Sequence, residues 1–126
     1  MDSQTDVLII GAGPTGLTLA CELMRHGVAA CRIVEKNSDR SSQSKAISVY
    51  PRTLELLDLL GVADELVERG KPVAHSNVYA NGKRLAHVDF GYLDTPYPYV
   101  LNVPQSTTEG VLGRHFESQG GTIEWD

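Results

Sequence analysis

The chain has 126 residues, of which 41% are hydrophobic, and its 16 acidic against 11 basic residues give a formal net charge of −5. This length suits one domain with its own hydrophobic core. The composition excludes a disordered tail, and the acidic charge disfavours a nucleic-acid surface. Apolar runs such as Val7–Ile10 are far too short to span a bilayer, and no secretory signal is visible. We therefore predict a cytoplasmic protein that binds neither nucleic acid nor membrane.

The metal-binding residue types show no pattern that predicts a metal site. Cys21 and Cys31 lie in apolar surroundings without paired spacing, so we expect buried, reduced thiols rather than a disulfide or a zinc site. The histidines show neither metal-ligand spacing nor a partnering acid, and we expect surface or core roles for all four: His26, His75, His87 and His115.

The first third of the chain predicts a strand, a glycine turn, a helix, a second strand and an acid, in that order. Val7–Ile10 is a continuous apolar run, typical of a strand buried on both faces of a parallel sheet. The sequence Gly11-Ala12-Gly13-Pro14-Thr15-Gly16 follows at once. A helical stripe then runs to Gly27, formed by Leu17, Ala20, Cys21 and Met24. Residues 29–34 predict the next strand, and Glu35 lies 19 residues after the third glycine.

This order of elements suits the ADP half of a dinucleotide. Gly11 allows a tight turn, Gly13 lets the backbone approach a pyrophosphate, and Gly16 lets the helix pack close to the strand. The free N–H groups and the dipole of the helix start favour an anion. Glu35 can accept hydrogen bonds from ribose hydroxyls. A glycine-rich structural turn is the alternative, and spacing alone does not distinguish FAD from NAD.

The remaining sequence predicts shorter elements. In order, these are a polar loop (37–43), a helix from Pro51 ended by Gly61, a short helix (63–69), strands at 76–80 and 83–90, an irregular stretch rich in tyrosine and proline (91–104), a helix closed by Gly120-Gly121, and a strand at 122–125. The irregular stretch either lines a substrate cavity or serves as packing. We expect no regular element in it.

Two local patterns predict specific contacts. Asn81-Gly82 is a type I′ hairpin signal, which would place Val78 opposite Leu85 and Tyr79 opposite Arg84. Ser106 and Glu109 have the spacing of a capping box that would open the last helix.

Several motifs together resemble one enzyme family. They are GAGPTG after VLII, Glu35-Lys36, Ser44-Lys45-Ala46-Ile47, Pro51-Arg52-Thr53-Leu54-Glu55 before Leu59-Leu60-Gly61, and Val103-Pro104-Gln105 with Thr108-Glu109. In this order they resemble the N-terminal part of the class A flavoprotein aromatic hydroxylases, of the para-hydroxybenzoate hydroxylase and phenol hydroxylase type, including polyketide-tailoring oxygenases. The resemblance covers essentially the whole chain, and it favours FAD over NAD.

The resemblance implies a set of cofactor-binding residues. The glycine turn would line the FAD pyrophosphate, with Glu35 at the adenosine ribose and Lys36 beside the adenine. Lys45 and Ala46 would lie near the flavin half, and Gln105 would bond toward the ribityl chain or the pyrophosphate. Arginine is common in the family at the position of Lys45, and lysine there supports one ion pair without a bidentate fork. The residues of the turn in this set are Gly11, Gly13, Pro14, Thr15 and Gly16.

Some of these residues have simpler alternative roles. Lys36 could be a solvated surface charge, and Gln105 could simply begin a helix. For Arg52 we favour a structural role in the helix that follows it. We predict no catalytic residue in the chain.

The predicted fold is α/β, with a Rossmann-like βαβ dinucleotide-binding unit, an inserted antiparallel β-hairpin and an incomplete sheet. The chain would be the N-terminal part of an FAD-binding domain. Residues 1–72 and 105–126 would form the nucleotide-binding unit, and residues 73–104 the hairpin and the tyrosine and proline insertion. The family's downstream Asp-Gly and Gly-Asp motifs do not occur in the chain, so we expect a fragment.

The resemblance implies a flavin-dependent monooxygenase. Such an enzyme hydroxylates a small aromatic substrate with O₂ and NADH or NADPH through a C4a-hydroperoxyflavin. Its missing part would be a C-terminal half, and a homodimer is an alternative arrangement. The alternative function is a non-catalytic nucleotide-binding fragment or interaction module that needs a partner chain.

Overall fold

A computed structural model describes residues 4–28, 30–39 and 48–126. Its elements in chain order are β1 (Val7–Ile10), α1 (Pro14–Arg25), β2 (Cys31–Glu35), β3 (Ser48–Val49), α2 (Pro51–Leu59), α3 (Ala63–Arg69), β4 (Lys71–Val73), β5 (His75–Ala80), β6 (Lys83–Asp89), a 3₁₀ turn (Phe90–Tyr92), β7 (Val100–Asn102), α4 (Gln105–Ser118) and β8 (Ile123–Trp125). No helix in these ranges is long and apolar enough to cross a membrane.

The chain divides into two compact units, residues 1–46 with 104–126 and residues 47–103. This division groups residues 47–72 with the hairpin, whereas the sequence prediction placed them with the nucleotide-binding unit. The predicted α/β class, with a parallel βαβ unit and a separate antiparallel hairpin, is confirmed.

The first unit is a parallel sheet packed against two helices. The strand order is β1-β2-β8, with Ile9 opposite Ile33 and Ile33 opposite Ile123. Helices α1 and α4 pack on each other, and the Cys21 thiol donates to the Leu112 carbonyl at 3.6 Å. The core of the unit is formed by Leu17, Ala20, Cys21, Ile33, Val111, Leu112 and Phe116. Both cysteines are buried and free, as predicted.

The expected burial of the first strand on both faces is wrong for the part of the chain that the structure describes. Ile9 is buried, but 52% of Leu8 and 84% of Ile10 are exposed. Side chains alternate along a strand, so Leu8 and Ile10 point away from the face that carries Ile9. Their face of the sheet is exposed among the described residues, and it also carries the ion pair between Arg32 and Glu124 on the neighbouring strands.

The last helix begins without the predicted capping box. Its first residue is Gln105, after Pro104 at the N-cap, and no side chain caps it. Ser106 is thus already inside the helix. Glu109 is buried and accepts a hydrogen bond from the Gln105 amide, Nε2 to Oε1, at 2.8 Å. The S-x-x-E spacing failed as a start signal because Pro104 ends the preceding extended segment two residues earlier.

The second unit contains three very short strands that the sequence did not predict. They form an antiparallel sheet in the order β3-β7-β4. Strand β7 lies within the stretch 91–104, so the expectation of no regular element there is wrong. Helices α2 and α3 occur where predicted, and the chain leaves α2 through Gly61 in a left-handed conformation with φ +76°. Leu54, Leu66 and Leu101 are fully buried in this unit.

The hairpin β5-β6 of the second unit contains the predicted turn and one bulge. Asn81 and Gly82 both have positive φ, +50° and +74°, as a type I′ turn requires. Tyr79 pairs with Arg84 as predicted, but Val78 pairs with Ala86. The predicted Val78–Leu85 pair is wrong because a register shift between Val78 and Tyr79 leaves Leu85 as an extra residue.

The hairpin also corrects the expectation that no histidine has a partnering acid. His75 lies opposite Asp89 in the strand register, and His75 Nδ1 is 3.4 Å from Asp89 Oδ1. The two residues are far apart in the sequence, so spacing along the chain did not reveal the pair.

Candidate functional site

The glycine turn between β1 and α1 has the geometry of a tight, closely packed connection. Gly11 has φ +105°, a conformation that residues with side chains rarely adopt, and its N–H donates to the Val34 carbonyl at 2.8 Å. A Cβ at Gly16 would overlap the Gly11 carbonyl oxygen and lie 3.1 Å from Ile9 Cγ2. The start of α1 can therefore sit this close to β1 only because residue 16 has no side chain.

The start of α1 offers backbone donors without a side-chain cap. Gly13 is the N-cap in an extended conformation, Pro14 is the first helical residue, and no side chain caps the helix. The first N–H groups of a helix have no carbonyl partner within the helix, and its dipole is positive there. A Cβ at Gly13 would meet nothing within 4 Å. The space beside these donors is thus open to an anionic group.

Glu35 joins the end of β2 to the glycine turn. Its Oε2 accepts from the Ala12 N–H at 2.9 Å, and its Oε1 accepts from the backbone N–H and the side-chain amide of Asn37 at 3.0 and 2.6 Å. These bonds, first that from Ala12 and then that from Asn37, lower the pKa of the Glu35 carboxyl below its usual value. A carboxylate has about four acceptor positions, so Glu35 can still accept one more hydrogen bond.

A cavity of about 330 Å³ adjoins Glu35 at one edge of the parallel sheet. Ile10, Glu35 and Trp125 line it, and these are the last residues of β1, β2 and β8. Ligands of open parallel sheets bind outside the carboxyl ends of the strands. The cavity is therefore on the side of the sheet where a nucleotide is expected, and its other lining residues are Val34, Lys36, Glu124 and Asp126.

The structure brings some of the predicted site residues together. The glycine turn and Glu35 are in direct contact, and Lys36 lines the cavity beside Glu35. Gln105 begins α4, in keeping with its alternative role, and bonds along the helix to Glu109. Lys45 and Ala46 lie outside the described residues.

Two residues of this arrangement were missed by sequence reasoning. Ala12 contributes only its backbone N–H, so its side chain gave no signal. Asn37 donates two hydrogen bonds to the second carboxylate oxygen of Glu35. The sequence feature that could have indicated this contact is an asparagine two residues after the acid that ends a strand.

The bonds to Glu35 predict a pH dependence of stability. A carboxyl whose pKa is lowered in the folded state stabilises the fold above the pKa of the unfolded chain, about 4.3, and this contribution is lost as the pH falls through the folded value. In Glu35→Gln, one oxygen is replaced by an NH₂ group that faces N–H donors. We expect Tm at neutral pH to fall by about 2–4 °C, with a smaller further fall in acid than in the wild type.

Thermal unfolding followed by circular dichroism between pH 7 and about pH 3 measures this effect. Glu68→Gln is the matched control, because Glu68 is an exposed residue of α3 in the other unit. Parallel Tm curves for Glu35→Gln and the wild type would contradict the assigned role of the carboxylate.

Together, the strand, the glycine turn, the uncapped helix and the tethered acid define an ADP-binding βαβ unit of the dinucleotide-binding class. Comparison of sequences specifies this further. The sequence profile described as "FAD binding domain" matches residues 4–126, and the chain belongs to that family. The resemblance to FAD-dependent aromatic hydroxylases is thereby confirmed.

Curated relatives and solved structures agree on this class. The chain is 44% identical over 121 residues to 6-methylpretetramide 4-monooxygenase of Streptomyces rimosus, covering 94% of this chain and 22% of the relative. It superposes on p-nitrophenol 4-monooxygenase of Pseudomonas putida with a TM-score of 0.88 and 29% identity, covering 99% of this chain and 32% of the other. For aklavinone-11 hydroxylase, solved with FAD and aklavinone, the TM-score is 0.79 at 29% identity, with coverages of 99% and 26%. The chain thus spans about a quarter of the length of such relatives.

Proposed function

We propose that this chain forms the FAD-binding part of a flavin-dependent monooxygenase that hydroxylates an aromatic substrate with O₂ and NADH or NADPH. The observation that carries the proposal is the uncapped start of α1 beside a glycine turn that Glu35 tethers, within a chain of the FAD binding domain family. The names of relatives support the reaction class, since they include 6-methylpretetramide 4-monooxygenase and pentachlorophenol 4-monooxygenase.

The residues of the site fit the ADP half of FAD. Backbone N–H groups at the start of α1 donate to the pyrophosphate, and the glycines leave room for its oxygens. The proposed pyrophosphate-binding residues are Gly11, Gly13, Pro14, Thr15 and Gly16. Pro14 contributes no N–H but presets the first helical φ.

The adenosine is assigned to the cavity at the carboxyl ends of the strands. The remaining acceptor position of Glu35 takes one ribose hydroxyl, and Lys36 lies at the wall beside it. The proposal keeps Lys45 and Ala46 near the flavin half and Gln105 toward the ribityl chain or the pyrophosphate, as the resemblance implies.

The chemistry of the reaction comes from the cofactor. When bound, FAD accepts reducing equivalents from the nicotinamide and activates O₂. The residues of this chain bind and orient the dinucleotide and hold its negative charge. In the same proposal the protein acts in the cytoplasm, and it either joins a C-terminal half or forms a homodimer.

The visible absorption spectrum of the purified protein, with its intact mass on the same sample, tests cofactor binding. We expect an absorption band at about 450 nm, which is a property of the bound flavin. Denaturation of the protein should release FAD rather than FMN. Substrate-stimulated oxidation of NADH or NADPH in the presence of phenols then tests the reaction. A colourless protein of the correct mass that does not take up added FAD would contradict the proposal and favour the non-catalytic module.

A further inference from the structure

One face of the hairpin β5-β6 gathers side chains that can bind a metal ion. His75 is opposite Asp89 and Asn77 is opposite His87 in the strand register. Side chains two residues apart on a strand share a face, so all four lie on the same face of the hairpin. All belong to the second unit, and both imidazoles are exposed to solvent.

The potential ligand atoms of three of these residues are already close together. One nitrogen of His75, one nitrogen of His87 and one carboxylate oxygen of Asp89 lie within 4.8 Å of one another. The two imidazole rings are stacked, with centroids 5.7 Å apart and planes inclined by 20°. Ligands about 2.1 Å from a tetrahedral metal are about 3.4 Å apart, so small rotations of exposed side chains suffice to close the site.

Asn77 prepares His87 for this role. Its Oδ1 lies 2.8 Å from His87 Nδ1. An amide oxygen only accepts, so His87 Nδ1 carries the hydrogen and Nε2 has the lone pair that a metal needs. Histidine ligands in metal sites are commonly oriented by such a bond from their other ring nitrogen.

The carboxylate is also held in place. Asp89 Oδ1 accepts from the Gly91 N–H at 2.8 Å, which fixes the side chain at the end of β6 where the 3₁₀ turn begins. The type I′ turn and the paired strands hold the two ligand-bearing segments at a set distance. The site thus needs no rearrangement of the backbone.

We propose that His75, His87 and Asp89 bind one divalent transition-metal ion of the zinc class, with water completing its coordination. Two imidazoles and one carboxylate are typical zinc ligands, and imidazole nitrogen disfavours Mg²⁺ and Ca²⁺, which prefer oxygen. None of these three residues is among those assigned to FAD. Occupation of the metal site stabilises the folded hairpin, because an ion that binds only the folded state adds to its stability.

Calorimetric titration of the purified protein with Zn²⁺, and optical titration with Co²⁺, test the proposal. We expect one ion per chain, no response to Mg²⁺ or Ca²⁺, and no thiolate-to-cobalt charge-transfer absorption. Loss of a residue that only hydrogen-bonds to a metal ligand typically weakens metal binding by about 10- to 100-fold. His75→Asn and His87→Asn each remove a ligand itself, so each should weaken Zn²⁺ binding by more than this. His26→Asn is the matched control, because His26 follows α1 and lies outside the hairpin. The His26→Asn variant should bind Zn²⁺ with the same affinity as the wild type.

Asn77 is a positioning residue, and its variants separate orientation from simple damage. Asn77→Ala should weaken Zn²⁺ binding about tenfold, while Asn77→Asp, which keeps an acceptor at the same place, should restore it. Far-UV circular dichroism verifies the fold of each variant. The proposal is overturned if the protein binds no Zn²⁺, if His75→Asn and His87→Asn bind it as tightly as the wild type, or if Co²⁺ shows thiolate ligation.

Discussion

Gly13→Asp should abolish most FAD binding while leaving the fold intact. The new side chain would stand at the N-cap of α1, where a Cβ meets nothing within 4 Å and the backbone is extended with φ −77°. Aspartate is a favoured N-cap residue and its charge suits the helix dipole, so the free energy of unfolding should stay equal or rise by up to about 1 kcal/mol.

The loss of binding has an electrostatic cause. Two unit charges 4 Å apart repel by about 4 kcal/mol at an effective dielectric constant of 20, so we expect FAD affinity to fall by about a hundredfold or more. Gly13→Asn is the matched control, since it has nearly the same size and no charge and should lose less. Flavin fluorescence quenching measures the affinity, and urea unfolding measures the stability. If Gly13→Asp bound FAD as tightly as the wild type, the assignment of the glycine turn to the pyrophosphate site would be wrong.

Gly16→Ala should destabilise the fold itself. Its Cβ would overlap the Gly11 carbonyl oxygen, which is backbone and cannot rotate away, and would also press on Ile9. Overpacking of this kind typically lowers the free energy of unfolding by about 1–3 kcal/mol. Because the contact is with backbone, we expect a loss of about 3 kcal/mol. Helix α1 would have to move away from β1, which would also misplace the donors of its first turn.

Gly13→Ala is the control for this prediction. It adds the same methyl group three residues earlier, where no atom is near and φ is negative. Alanine is a poorer N-cap residue than glycine, so we expect Gly13→Ala to lower the free energy of urea unfolding by no more than about 1 kcal/mol, well below the loss in Gly16→Ala. Equal losses in the two alanine variants would show that helix packing at residue 16 is not the reason for its glycine.

The elements best predicted from the sequence are those defined by near neighbours in the chain. The apolar strand, the glycine turn and the stripe of α1 are local patterns, and each occurs where it was expected. Glu35 was identified from its distance to the turn. Its bond to the Ala12 backbone could not be predicted, since it depends on how β1 and β2 pair.

Features that depend on distant partners were missed. Strands β3, β4 and β7 have two or three residues each, so they show no alternation and exist through pairing with one another. The bulge that displaces Leu85 likewise changes no local pattern. The pairing of His75 with Asp89 was missed for the same reason, because the unshifted register of the predicted turn at Asn81-Gly82 would place His75 opposite Val88.

The tether between Glu35 and Ala12 has a consequence for how tightly a dinucleotide can be held. The loop that receives the phosphates is anchored at Gly11 and at Ala12 by bonds to β2 before any ligand arrives. Little backbone entropy then remains to be lost on association, so more of the contact energy is expressed as affinity. The turn is a preorganised binding site for the phosphates. Loss of the bond between Glu35 and the Ala12 N–H should therefore slow association of the cofactor and speed its dissociation.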